Sequence, residues 1–381
     1  MAYTILAGGY RPSIALLAFD PSKDTSEALK LVSDSPAPEN PSWIAVPPTA
    51  TASTGGDVYS ISRPLYSVSE KEGGSALSLN LADGKVSVTS EVPTQGAPCH
   101  VHIMKDGKGI VISNYLGGSI VYIPLAADGT LSSTDIQRVT FDFPYAASPA
   151  PNPERQDGSH AHHCIEGKRG LYVADLGSDR VWVVERNDGQ FAVADYIQCE
   201  PGYGPRHLVL SEDGEIHHLR ARRDGPHRRR VPATATKTSA PLATPVPFLP
   251  PSIPAAYTKF MDGAELVLNP ATQEVYASNR LELHASKMNP TLAALAPADV
   301  APGDAVAVYT TNSATGLDND VKWVRTDCCC IRGMALSPDN KYVALAGMCK
   351  GGIAVYEVKA GGEWTRVGGL AIDNVTDFAW L

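Results

Sequence analysis

The stretch SHAHHCIEGKRGLYVADLGSDRVWVVERND, from Ser159 to Asp188, decides the architecture. Its centre holds two β-rich runs, Leu171 to Asp175 and Val181 to Val184, parted by the polar loop Leu176-Gly177-Ser178-Asp179-Arg180. That is the pattern of a hairpin. The same order of residue types returns in APCHVHIMKDGKGIVISNYLGGSIVYIPLAADGTL, from Ala97 to Leu131. A hairpin that recurs is a repeat, and a repeat sets the fold.

Each copy opens on a small residue, a Pro or Ser and a His or Arg, then runs into a strand. Openings fall at Thr4, Asn40 to Trp43, Ala97 to His100, Ser159 to His162, Gly204 to His207, Asp262 to Glu265 and Ile331 to Gly333. They lie about 40 to 70 residues apart, near the period of four-stranded propeller blades. One such unit has two apolar faces and buries neither alone, whereas blades set radially bury each face against a neighbour. The expected fold is therefore all-β, a seven-bladed β-propeller in a single domain over residues 1–381. The first strand, Tyr3 to Ala7, and the last, Thr376 to Leu381, are expected to complete one blade together and close the ring.

Composition agrees: 43% hydrophobic residues, 33 Gly and 30 Pro come without an amphipathic helical pattern. No apolar run approaches the roughly 18 residues of a membrane helix, and Met1-Ala2-Tyr3-Thr4 has no leader character. A soluble, cytoplasmic protein without a membrane partner is expected. Seven Cys without framework spacing point to a reducing compartment, and a net charge of -9 argues against a nucleic-acid partner.

The fifth blade is disrupted. After the turn Ser211 to Gly214, residues 215–254 read EIHHLRARRDGPHRRRVPATATKTSAPLATPVPFLPPSIP, a cluster of Arg from Arg220 to Arg230 and then a Pro-rich run. Proline removes ladder donors and the basic cluster has no apolar face, which speaks against an interior sheet. The segment reads as a basic arm for an anion or nucleic acid, as a disordered insertion, or as a stretch that is not native, from a frame slip or misread intron. The last accounts best for flanks that keep the repeat around a segment that does not.

Candidate chemistry gathers at the openings. His100 and His102 alternate along a strand and so share a face. Beside Arg155, the residues His160, His162 and His163 concentrate imidazole, a common metal ligand. No carboxylate or Cys stands at ligand spacing and Cys164 faces away from His163, so no metal and no cofactor is expected. Cys328, Cys329 and Cys330 alternate in a strand and read as buried hydrophobes. The Ala- and Pro-rich run from Leu281 to Asp304 reads as a top-face insertion. A radial fold would bring His100, His162, Arg206, Glu265, Arg280 and Arg332 round one channel mouth. Three guanidiniums in an acidic protein suggest an anionic substrate, since Arg offers a planar fork to carboxylate or phosphate. No Gly-x-Ser-x-Gly elbow is present.

The words Pro98-Cys99-His100-Val101, Ser113 to Ser119, His160-Ala161-His162, Val173 to Gly177, Gly204-Pro205-Arg206-His207, Ala277 to Arg280 and Ser337-Pro338-Asp339 carry a resemblance. Almost end to end, the chain resembles the seven-bladed β-propeller lactonases, which include bacterial-type 6-phosphogluconolactonases and fungal 3-carboxy-cis,cis-muconate lactonizing enzymes. The resemblance implies a His at the rim of the central channel, where register favours His162 over His160. It implies His162, Glu265 and Arg206 as catalytic groups, with His100, Asn114, His160, Arg280 and Arg332 binding substrate. It also implies a Glu near Arg222, in the strand after Gly-Pro-Arg, and no Glu stands there. The implied activity is metal-free hydrolysis of an anionic sugar lactone. The alternatives are cycloisomerisation of 3-carboxy-cis,cis-muconate and, if the fifth blade is as written, a binding platform without turnover.

Overall fold

The computed structural model describes residues 2–48, 60–61, 63–210, 216–220, 228–231, 249–253, 261–280, 303–312, 316–317 and 320–381. Among them there is no α-helix. The chain runs through β1 (Tyr3–Gly9), β2 (Ser13–Phe19) and β3 (Leu29–Pro36). β4 (Ile44–Ala45), β5 (Leu65–Ser69), β6 (Ser75–Ala82) and β7 (Lys85–Pro93) follow. Then come β8 (Pro98–Ile103), β9 (Gly109–Asn114), β10 (Ser119–Pro124) and β11 (Gln137–Thr140). The quoted stretch lies in β12 (Ala161–Gly167), β13 (Gly170–Asp175) and β14 (Arg180–Asn187), completed by β15 (Gln190–Gln198). β16 (Pro205–Leu210), β17 (Ile216–Arg220) and β18 (Arg228–Val231) precede β19 (Asp262–Asn269), β20 (Glu274–Arg280), β21 (Ala305–Asn312), β22 (Gly316–Leu317) and β23 (Lys322–Arg325). The chain ends with β24 (Cys329–Leu336), β25 (Tyr342–Lys350), β26 (Gly352–Lys359), β27 (Glu363–Leu370) and β28 (Val375–Trp380).

These strands make seven antiparallel sheets, six of them with four or five strands and one, β16-β17-β18, with three. Middle strands such as β13 (GLYVAD) and β20 (EVYASNR) are buried almost throughout, while outer strands such as β7 are mostly exposed and bury only Val86 and Val92. A strand covered on both faces reads as a continuous run. The core explains the arrangement: it falls into seven clusters, each drawing on two neighbouring sheets. One joins Val111, Ile120 and Tyr122 of the third sheet to Leu171, Val173 and Trp182 of the fourth. Another joins Ala344, Val355 and Ile353 of the last sheet to Ile5, Leu17 and Phe19 of the first. Sheets packed face to face round a full circle make a β-propeller.

The ring closes as expected. β28 pairs with β1, so the chain's last strand is the innermost strand of the first sheet. Burying Val375, Phe378 and Trp380 there stabilises by about 1.5–3 kcal/mol each. One expectation is corrected in consequence: the first sheet opens not at Thr4, which lies in its second strand, but at Val375.

Residues 215–254 also need correction in part. Ile216–Arg220 and Arg228–Val231 extend β16 as two further strands. Neither run contains a proline; Pro226 falls between them and Pro232 beyond them, so every ladder donor is kept. Most of the remaining positions, and most of the expected insertion at Leu281 to Asp304, lie outside the described residues. Cys328, Cys329 and Cys330 are buried, as expected.

Candidate active site

Six innermost strands carry an irregularity near the same place. The ladder skips between Pro98 and His100 in β8, between Ala161 and His163 in β12, between Pro205 and His207 in β16, and between Ile331 and Gly333 in β24. In β19 it skips from Gly263 to Leu266, and in β28 it passes over Thr376. A bulge frees a residue from the ladder and re-aims its side chain. The freed residues Cys99, His162, Arg206, Glu265, Arg332 and Thr376 share one small chamber on the channel axis with Ser42, Trp43, Glu70 and His207.

The residues after three of these bulges, His100, His163 and His207, form a run of rings with Trp43. Trp43 meets His100 with ring centroids 4.5 Å apart, His100 meets His163 at 4.1 Å, and His163 meets His207 at 4.6 Å. His207 Nδ1 then lies 2.6 Å from Glu265 Oε1. The approach is out of line for a hydrogen bond, and neither ring nitrogen of His207 has a hydrogen-bond partner among the described residues. Adjacent sheets are tied together here, because His100 Nδ1 accepts the Cys164 N–H and His163 Nδ1 accepts the Leu208 N–H, both at 3.4 Å. Asp377 accepts the Ile44 N–H at 2.7 Å in the same manner. A buried N–H released from its ladder must find an acceptor, and these side chains supply it.

Above the chamber lies a cavity of about 250 Å³ lined by Tyr10, Glu70, Tyr115, Arg155, His162, Leu176, Arg206, Arg280 and Arg332. Tyr10, Glu70, Tyr115, Leu176 and Arg280 stand at or just beyond the ends of β1, β5, β9, β13 and β20, the second strands of five sheets. Four guanidiniums therefore face one space. Asp262 lies 3.2 Å from Arg155 and 3.6 Å from Arg280. Glu70 lies 3.8 Å from Arg332 and accepts the Tyr10 hydroxyl at 2.9 Å, while the Arg332 guanidinium sits 4.7 Å above the Tyr10 ring. Arg206 donates to the Ala264 carbonyl, and Arg280 Nε has no partner among the described residues.

Burial sets the protonation states. It holds His100, His162, His163 and His207 well below the usual imidazole range, helped for His162 and His207 by Arg206 beside them. Backbone donors on Nδ1 of His100 and His163 enforce the same neutral form. Burial raises the Glu265 carboxyl against the pull of Arg206. Burial, with Arg280 and Arg332 near, disfavours the Arg206 cation, which nonetheless keeps its charge as guanidiniums do. Asp377 is likewise raised by burial.

Two carboxylates hold the openings in place. Asp175 accepts from Ser159 Oγ at 2.6 Å, His160 N at 2.7 Å, Ser178 N at 3.1 Å and Trp182 Nε1 at 2.9 Å, fixing the loop that delivers His162. Asp179 accepts from Gly202 N and Gly204 N and so fixes the loop that delivers Arg206. Gly202 and Gly204 have φ of 73° and 58°, which favour glycine.

Of the expected site residues, the structure brings His162, Arg206, Arg280 and Arg332 to the cavity and Glu265 to the chamber beneath it. The other three line neither space. His100 is one residue past its bulge, so Cys99 stands where His162 stands in the next sheet. Asn114 is fully buried and donates to the Thr94 carbonyl at 3.3 Å. His160 lies behind Tyr115, stacked on it at 4.4 Å, with Nδ1 2.9 Å from the Tyr115 carbonyl and Nε2 2.7 Å from Asp157. The position of the Glu implied near Arg222 lies outside the described residues. Tyr10, Glu70, Tyr115 and His207 were not among the expected site residues, and Arg155, noted beside the histidines, had been given no place in the site. The signal for His207 was available, since Pro98-Cys99-His100, Ala161-His162-His163 and Pro205-Arg206-His207 align without gaps.

Comparison with known proteins defines the class. Residues 4–370 match the family model described as "Lactonase, 7-bladed beta-propeller". The chain belongs to that lactonase propeller family. It is 26% identical over 367 residues to a protein of Arthroderma benhamiae named "Probable 6-phosphogluconolactonase", covering 92% of this chain and 80% of that one. It is 27% identical over 153 residues to the 6-phosphogluconolactonase of Bacillus subtilis, 38% of this chain and 42% of the relative. An uncharacterized Staphylococcus saprophyticus protein is 34% identical over 139 residues, 35% of this chain and 39% of that one, so the aligned stretch spans only about two fifths of these last two relatives. In fold it is similar to the periplasmic gluconolactonase of Pseudomonas aeruginosa, with a TM-score of 0.77 at 19% identity over 100% of this chain and 99% of that one.

Proposed function

We propose that the protein is a lactonase that hydrolyses an anionic sugar lactone of the 6-phosphogluconolactone type, on a seven-bladed wheel whose three-stranded sheet is the seventh blade. The observation that carries this reading is that His162, Arg206, Arg280 and Arg332, from four different sheets, face one cavity. That cavity is at the small end of ligand pockets and suits a single sugar-sized molecule. Arg280, with its free Nε, holds the anionic group; Arg206 steadies the oxyanion that forms as water adds to the carbonyl. The reading uses no metal, and among the described residues no three His, Cys, Asp or Glu are placed to share one. His162 and Glu265 are the groups that can exchange the proton of the attacking water.

Hydrolysis of 6-phosphogluconolactone by purified protein, and its loss in Arg206→Met, tests the reading; an inactive wild type with an intact fold overturns it. A second reading, cycloisomerisation of 3-carboxy-cis,cis-muconate, draws on the number of guanidiniums, since four suit a tricarboxylate better than one phosphate does. Turnover of that substrate and not of the sugar lactone would select it.

A further inference from the structure

The cavity has a floor with a second, smaller space in it. The chamber below shares Glu70, His162, Arg206 and Arg332 with the cavity, so the two adjoin, and its own room is about 10 Å³. A space of that size is what one water occupies, provided it has polar partners. They are present and unspent: His162 Nδ1 and His207 Nε2 are without hydrogen-bond partners among the described residues, although His162 is 6% and His207 1% exposed. Buried polar nitrogens in native folds are normally satisfied by protein or by ordered water. Glu265, 4% exposed, lines the same space.

We propose that this chamber binds a single water, held by His162 Nδ1 and His207 Nε2 against Glu265, and that this water is the nucleophile of the lactonase reaction. The role rests on the lactonase reading; the water site does not. The substrate occupies the cavity above, so nucleophile and substrate enter separate compartments joined at His162 and Arg206. One O–H proton of the water passes to the Glu265 carboxylate, and the water oxygen forms a bond to the lactone carbonyl carbon. The carbonyl π pair moves onto oxygen beside Arg206. When that pair returns, the ring C–O bond breaks and the departing alkoxide oxygen takes the proton back from Glu265. The products are the hydroxy acid and an unchanged enzyme. Burial raises the Glu265 carboxyl to about 8, so near neutral pH the carboxylate is the minority form but a stronger proton acceptor than an exposed one. His207, 2.6 Å from Glu265, is a positioning residue for both water and carboxylate.

Two measurements test this. A high-resolution crystal structure of the full chain without ligand should show one water within hydrogen-bond distance of His162 Nδ1, His207 Nε2 and Glu265; a chamber without density there overturns the proposal. Cys99→Leu should fill the chamber from its wall, leaving the dissociation constant for 6-phosphogluconate within about threefold while kcat falls at least 100-fold. If Cys99→Leu does not fold, Thr376→Leu fills it from another wall. A folded, filled variant with kcat within threefold of wild type overturns the nucleophile role and leaves the lactonase reading standing. A wild type that turns over no lactone overturns the lactonase reading and the nucleophile role together, while the water site is decided by the crystal structure alone.

Discussion

The two storeys of the channel are built on opposite principles. The upper one, delivered mainly by turns after second strands, is charged: Arg155 and Arg280 share Asp262, and Arg332 shares Glu70 with Tyr10. The lower one, delivered mainly by bulges, sets Glu265 and the shared Arg206 and Arg332 against a run of neutral rings, Trp43, His100, His163 and His207, in contact from sheet to sheet. Ion pairs face the space a ligand can enter; below it, His100 and His163 satisfy released backbone donors without carrying charge into the core. Glu70, His162, Arg206 and Arg332 belong to both storeys, and there the proposed chemistry sits.

The largest effect should come from breaking the join. Arg206→Met is expected to lower kcat by about 10²–10³, the usual loss when an oxyanion donor is removed, in steady-state assays on the sugar lactone. A change of less than threefold would move the oxyanion site elsewhere. Removing an upper-storey group alone should act on binding. Arg280→Met is expected to raise KM about 10–100-fold, the worth of one charge-assisted anion contact, with kcat changed far less. An equal fall in kcat instead would place Arg280 at the reacting carbonyl.

The difference between the storeys also governs what the sequence shows. Repeat period, turn residues and the sharing of one sheet by Tyr3 and Thr376 follow from local pattern, and the structure agrees on each. His162, Arg206, Arg280 and Arg332 are legible because their neighbours repeat. His100 was misplaced by a single residue: an uncounted bulge moves a side chain from one position round the axis to the next, and a one-residue slip exchanges faces. Tyr10 and Glu70 carry no local mark. They meet Arg332 only because three sheets converge. The strands at Ile216–Arg220 and Arg228–Val231 were hidden by composition, because Arg-rich side chains say little about a ladder made by the backbone.

The lower storey can be challenged through pH. His100, His162, His163 and His207 are neutral in the folded state, with pKa values pushed below the ordinary imidazole value of about 6.5. Below that value the unfolded chain binds more protons, so each imidazole makes the fold less stable as pH falls. Glu265 and Asp377, raised, have the opposite sign: their contribution is lost as pH rises from the ordinary carboxylate range through their folded values. His163→Phe keeps the stack and removes one titration. Between pH 7 and pH 5 it should recover about 2 kcal/mol of the wild type's acid-induced loss, read from urea unfolding at the two pH values. An unchanged pH dependence would mean that His163 is protonated in the fold.

The smallest effect sharpens the contrast from above. Tyr10→Phe removes the 2.9 Å hydrogen bond to Glu70 and leaves the ring under the Arg332 guanidinium. A hydrogen bond to a charged partner contributes about 1.5–3 kcal/mol when it is buried. Here Glu70 keeps its ion pair with Arg332, 3.8 Å away, so the carboxylate is not stranded and the loss should fall to about 1 kcal/mol or less. Freed of one partner, Glu70 should draw more of Arg332 away from the cavity, so substrate binding should weaken about two- to fivefold with little change in kcat. Thermal unfolding and KM together measure this. A loss of more than about 3 kcal/mol, beyond what one charged hydrogen bond contributes, would show that the upper ring holds the wheel together rather than the substrate, and the division between a binding storey and a reacting storey would fail.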